Sequence, residues 1–249
     1  MIAADAGGTS TEGDLGELVL HPVRGQHAFE ACVEQLGTAI RLGVYPRGSV
    51  LPPERELATR MGVARTTLRE AIAALRTAGM VETRRGRGGG TVVTSRPALP
   101  ARTTARQLAA RRQAWADTLE FRRIVEPGAA QLAATRSLGP VQRERFAQAW
   151  SAVEQAGTAA THRQADSRFH LTLAALTGSA RTIEAVTSVQ ADLHEMLGGI
   201  PVLDRNIHHS DAQHARVYRA VLDGDGPRAR RAMEEHCDDT AALLRGLLD

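Results

Sequence analysis

Apolar residues first fall into helical register after residue 26. Phe29, Val33, Leu36 and Ile40 stand at i, i+4, i+7 and i+11, and Gly43 and Pro46 close the run. A short second helix is predicted over 53–61, with Leu57 and Met61 on one face, followed by a tight turn at Gly62-Val63. A third runs from near Arg65 to about Ala78. Its apolar stripe is Leu68, Ile72 and Leu75, with Arg65, Arg69 and Arg76 on its other sides. After Gly79, two β-prone runs at 80–84 and 91–94 flank the basic, glycine-rich Arg85-Gly86-Arg87-Gly88-Gly89-Gly90 and predict a hairpin. Three helices and a hairpin over 26–95 compose a winged helix-turn-helix.

Residues 1–25 lack sustained periodicity and read as a mobile arm, and 96–104, with Pro97 and Pro100, as a linker. Residues 105–249 carry helical patterns at about 105–135, 140–157, 161–176, 180–198, 207–223 and 226–247, with no competing strand pattern. The breaks fall at Gly139-Pro140, Gly157, Gly178, Gly198-Gly199-Pro201 and Gly224-Asp225-Gly226-Pro227; the last is a strong stop-and-start signal. The expected fold is mainly α: a winged helix-turn-helix followed by an all-α antiparallel bundle.

Composition narrows the class. With 249 residues, 43% of them hydrophobic, the chain can bury a core, and no run of about 18 apolar residues predicts a membrane span. The first ten residues show no basic-then-apolar leader, and Cys32 and Cys237 lie far apart. A reducing cytoplasm is the expected compartment. The net charge of +3 hides a local excess, because all 31 basic residues are arginine and residues 41–98 hold eleven of them against four acids, a balance of +7. That segment calls for a polyanion.

Arg65, Thr66, Thr67 and Arg69 occupy the first turns of the third helix, a composition suited to entering a DNA major groove by the helix N-terminus. Arginine can grip guanine O6 and N7 bidentately, and threonine reaches phosphate or a thymine methyl. Arg55, opening the preceding helix, is placed to anchor a phosphate without reading sequence. Arg85 and Arg87 around Gly86 suit a wing laid on a sugar-phosphate strand or into the minor groove. A plain solvated helix face would also carry such arginines, and charge alone leaves that open. Thr67-Leu68-Arg69-Glu70 fits a capping box, which blurs the start of this helix.

Seven of the nine histidines lie beyond residue 160. Asp166 and His170 share a helix face with Phe169 and Leu173 beside them. His214 shares a stripe with Val217, Tyr218 and Val221, and His236 one with Met233 and Leu243. These three histidines therefore point inward from three helices, where buried imidazoles need partners that a metal supplies together. One carboxylate and three imidazoles suit zinc, nickel or a related divalent ion. Spacing leaves open whether the three converge or are separate hydrogen-bonded groups. His162, His194, His208 and His209 read as surface residues.

The stretch LPPERELATRMGVARTTLREAIAALRTAGMVETRRGRGGGTVV resembles the winged helix of GntR-type bacterial transcription regulators. The resemblance implies binding of double-stranded operator DNA as a homodimer on a palindromic site, with contacts from Arg55, Arg65, Thr66, Thr67, Arg69 and Gly86. Ala64 departs from it, standing where the family commonly has Ser or Thr. Residues 115–247, through EFRRIVEPGAAQLAA, ADSRFH, the His214 helix and LDGDGPRARRAMEEH, are similar to the helical ligand domain of the FadR-like branch. That similarity implies a divalent metal, zinc foremost, on Asp166, His170, His214 and His236. It also implies a small organic acid as effector, with Arg122 in the Glu-x-Arg motif and its neighbour Arg123 as the effector-binding candidates. Ser179 replaces a common Asn. A ligand-responsive regulator, a repressor rather than an enzyme, is the expectation; a hydrolase-like metalloenzyme fused to a DNA-binding module and a direct metal sensor are its rivals.

Overall fold

A computed structural model describes residues 15–16, 19–20, 22–23, 28–86, 90–94, 105–198 and 204–248. The linker expected at 96–104 and Arg87 of the wing lie outside the described residues. In chain order the elements are α1 (Ala28–Arg41), α2 (Glu54–Met61), α3 (Arg65–Thr77), β1 (Val81–Arg84), β2 (Gly90–Val93), α4 (Ala105–Ala134), α5 (Pro140–Glu154), α6 (Ala159–Leu176), α7 (Ala180–Gly198), α8 (Asp204–Leu222) and α9 (Gly226–Leu248).

The first five form the winged helix. The buried face of α1 is Cys32, Leu36, Ala39 and Ile40, whereas Phe29, expected in the stripe, sits at the exposed rim. Leu57, Ala58 and Met61 of α2 meet Leu68, Ala71, Ile72 and Leu75 of α3 in the same core. Gly62 makes the turn between them in the left-handed region (φ 63°), its N–H directed at the Ala58 and Thr59 carbonyls, a conformation that side chains disfavour. Helix α3 starts at Arg65 behind an Ala64 that supplies no side-chain cap, so the capping box at Thr67–Glu70 is not how this helix begins. β1 and β2 pair antiparallel with Val81 opposite Val93, and Val50 adds a bridge to Val92.

Part of the segment read as a mobile arm is docked. Val19 and Leu20 are buried in the winged-helix core, and the Val23 N–H donates to the Met61 carbonyl at 2.8 Å. Apolar residues spaced within a Gly- and acid-rich stretch were too few to register as periodicity.

In the C-terminal bundle the thirty-residue α4 runs through the middle, packed on α6, α7, α8 and α9. Phe146 and Phe169 stack at 5.2 Å between α5 and α6, and Phe146 meets Tyr218 of α8 at 5.1 Å. Helix α6 begins two residues earlier than expected because the Thr158 hydroxyl accepts the Thr161 N–H. Ser179 likewise caps α7, accepting the Thr182 N–H at 3.2 Å. At the α8–α9 turn Asp225 accepts the Arg228 N–H, and Gly226 lies so near α4 that a Cβ would stand 3.2 Å from the Gln131 carbonyl oxygen.

The two parts share apolar packing. Leu171 and Ala174 of α6 and Ile183 and Val186 of α7 belong to the same buried cluster as the winged-helix core. Burial separates consequences sharply within the bundle. Phe146→Ala should cost about 3–5 kcal/mol in denaturant unfolding, while Val141→Ala, 61% exposed on the same helix, should stay within about 0.5 kcal/mol.

Candidate metal centre and DNA-binding surface

On the winged helix, the residues at the N-terminus of α3 present their chemistry outward. Arg65, Thr66 and Arg69 are exposed and Thr67 is half-buried; Arg55 is exposed on α2, and Arg85 and Gly86 (φ 105°) at the hairpin tip. Arg69 also bonds Glu54 through Nε at 2.6 Å, tying α3 to α2. Arg76, on another side of α3, donates to the Thr83 hydroxyl and braces the wing.

In the bundle the inward stripes meet. Asp166 and His170 from α6, His214 from α8 and His236 from α9 bring one ligand atom each to within 4.8 Å of one another. Donors around a tetrahedral zinc stand about 3.4 Å apart, so this set suits a single divalent ion once its side chains close by small rotations. His170 Nε2 lies 3.2 Å from His214 Nε2, which lies 3.4 Å from Asp166 Oδ1. The three histidines are buried and Asp166 is half-buried. Burial holds His214 down to about 3 against the pull of Asp166, and burial with the charges of His214 and Arg122 holds His236 well below its usual range. Both therefore stay neutral, the form in which an imidazole nitrogen can bind a metal, although Arg122 donates to Nε2 of His236 at 2.9 Å. The buried Nδ1 of His214 and Nη1 of Arg122 have no hydrogen-bond partner.

Beside the cluster, the buried Arg122 bonds Glu126 Oε2 through Nε at 2.8 Å and approaches His236 Nε2 through Nη2 at 2.9 Å. Glu126 Oε1 accepts from Gln190 at 2.7 Å, and Oε2 lies 3.1 Å from His170 Nδ1. Burial works against both charges, but each holds the other: Arg122 titrates above its ordinary range and Glu126 well below the usual carboxylate range. Burial pushes the nearby Cys237 thiol up to about 12, leaving it a neutral weak donor toward Glu126.

Arg123 does not join this group. Its side chain is 39% exposed and pairs with Asp238 and Glu234 on α9, because one step along a helix turns a residue by about 100°. His208 and His209 are exposed as expected, but His162 is buried against Asp211 at 2.8 Å and His194 is half-buried. Burial, then the charges of Arg163 and Arg41, hold His194 at about 4. Sequence reasoning also missed Glu126, Gln190 and Gln213. The one available signal was Glu126, one helical turn beyond Arg122.

Residues 29–93 match the family described as "Bacterial regulatory proteins, gntR family", and residues 117–239 match the FCD domain. The HTH-type transcriptional regulator RmpR of Mycobacterium gastri is 34% identical over 217 residues, covering 83% of this chain and 76% of RmpR. The Glc operon transcriptional activator of Escherichia coli K12 is 28% identical, covering 83% of this chain and 85% of its own. The solved Streptococcus agalactiae GntR covers 87% of this chain and 99% of its own at 25% identity and a TM-score of 0.45. The chain belongs to the GntR family of DNA-binding transcription regulators, in its FadR-like branch with an FCD C-terminal domain. Relatives in it are named as regulators and not enzymes, which answers the hydrolase alternative.

The two neighbouring arginines are separable by experiment. Glu126→Ala strands a buried guanidinium and should cost about 3–5 kcal/mol. Arg123→Ala breaks only solvated pairs and should cost within about 1 kcal/mol. Urea unfolding of the full chain measures both.

Proposed function

We propose that the chain is a ligand-responsive regulator that binds a palindromic operator as a homodimer. In this reading it represses in its free form and lets go when a small organic acid binds at a divalent metal. The observation that carries the reading is the convergence of Asp166, His170, His214 and His236 beside the buried guanidinium of Arg122. Those four residues would hold the ion, zinc first by donor type and nickel second. When bound, the ion supplies a Lewis-acidic point for a carboxylate. Arg122, whose Nη1 is unpartnered, offers the same carboxylate a charge-assisted hydrogen bond.

Arg65, Thr66, Thr67 and Arg69 would read base edges from α3, with Arg55, Arg85, Gly86 and Arg87 on the sugar-phosphate strands. An exposed apolar stripe on α4, Phe121, Ile124 (71% exposed) and Leu132, supports pairing with a second copy. Such a dimer spans half-sites about one helical turn apart. Coupling is direct: α6 carries Asp166 and His170 toward the metal and, one residue on, Leu171 into the core shared with the winged helix. An acid shifts the dimer between states only by its differential affinity for them. Such a protein acts where the DNA is, in the cytoplasm.

Purified without chelator, the full chain should carry about one divalent ion per protomer and leave an operator selected in vitro when the right carboxylic acid from a panel is added. His214→Ala should lose ion and response together while keeping operator affinity. Finding no stoichiometric metal, with a normal acid response in His214→Ala, overturns the metal-linked reading; release by zinc alone makes the ion the signal. Arg65→Ala should weaken operator binding at fixed salt by about tenfold or more, and full affinity in that variant contradicts the α3 assignment.

A further inference from the structure

A hydrogen-bonded chain runs from the Asp/His cluster to the protein surface. His236 Nδ1 lies 3.1 Å from Gln213 Oε1, Gln213 Nε2 lies 2.6 Å from Asp239 Oδ2, and the same oxygen lies 2.8 Å from His209 Nε2. Gln213 and His236 are buried, while Asp239 and His209 are exposed.

The chemistry of the outer members dictates that of the inner ones. An ionised aspartate only accepts, so the amide NH2 of Gln213 must face Asp239 and its oxygen must face His236. That oxygen also only accepts, so His236 must carry its proton on Nδ1. A second contact agrees independently: Arg122 Nη2, which can only donate, meets His236 Nε2 at 2.9 Å and requires a lone pair there. The reversed amide would set oxygen against oxygen at 2.6 Å. His170 Nδ1 lies 3.1 Å from the Glu126 carboxylate without hydrogen-bond geometry, and His214 Nδ1 has no hydrogen-bond partner. The three imidazoles are thus held unequally, and His236 has the most fully defined outer contact.

We propose that Gln213 is a positioning residue: oriented by Asp239, it keeps His236 in its Nδ1-protonated tautomer, so that Nε2 carries the lone pair that Arg122 meets here and that a metal would take in place of that contact. The consequence for metal binding rests on the metal-site reading above; the tautomer itself does not. Outer contacts of this kind typically carry about ten- to a hundredfold in metal affinity.

The test uses the full chain. In side-chain nitrogen–proton correlation spectra recorded with chelator, His236 should show the Nδ1-protonated pattern in the wild type and lose it in Gln213→Leu. Cobalt(II) titration, read by its visible absorption, should be weakened about ten- to a hundredfold in Gln213→Leu. The exchange Gln213→Glu with Asp239→Asn keeps an acceptor toward His236 and a donor behind it. It should restore both readouts, which general loss of packing in Gln213→Leu would not predict. Thermal unfolding with chelator checks that each variant folds. An Nε2-protonated His236 in the wild type overturns the proposal, as does a Gln213→Leu variant that binds cobalt within about twofold of wild type. A wild type that shows the tautomer but binds no cobalt overturns the metal-site reading and leaves the positioning role standing.

Discussion

Two opposite charges sit one helical turn apart on α4, Arg122 and Glu126, and both are buried. Removing either charge from water is costly, and a buried pair persists only where geometry and further hydrogen bonds compensate. Here Glu126 gathers four elements onto one carboxylate. It accepts from Arg122 on its own helix and from Gln190 on α7, and it lies 3.1 Å from His170 Nδ1 on α6 and 3.8 Å from the Cys237 thiol of α9. Arg122 extends the group to His236 on α9. Two of the three imidazoles in the cluster, His170 and His236, touch this pair, and the relative placement of α4, α6, α7 and α9 is tied to it.

The same framework connects the FCD bundle to the winged helix. Asp166 and His170 face the cluster, while Leu171 and Ala174 of the same helix face the apolar core that contains Leu36, Leu57 and Leu68. In the proposed reading, a rigid helix with one face in each environment would carry a shift at Asp166 and His170 to the winged helix without a long relay. The side chains proposed to contact DNA need no such burial: they lie exposed at the front of α3 and on the hairpin, with Arg69 braced against Glu54 and Arg76 against Thr83.

Much of this was legible from periodicity and punctuation. Leu68, Ile72 and Leu75 mark the buried face of α3, and the Gly224–Pro227 turn separates α8 from α9 where expected. His170, His214 and His236 were recognisable because each stands in an apolar stripe. Short-range competition caused the misses. Thr67–Glu70 matches a capping pattern but lies inside α3, and Val19 and Leu20 dock without a repeating pattern around them. His162 and His194 looked solvated beside charged neighbours, yet one packs against Asp211 and the other is half-buried near Arg163 and Arg41.

By itself the sequence determined the elements, the inward side of each helix, the concentration of arginine on 41–98 and the residue types of both sites. These are local properties, set by side-chain period, capping chemistry and charge. Which inward faces meet was decided only by tertiary packing. Packing brings Asp166, His170, His214 and His236 together from three helices, places Arg122 rather than Arg123 beside them and sets Glu126, Gln190 and Gln213 in contact with the group. Periodicity specifies a direction from a helix axis, but the distance between two such directions exists only once the helices have docked.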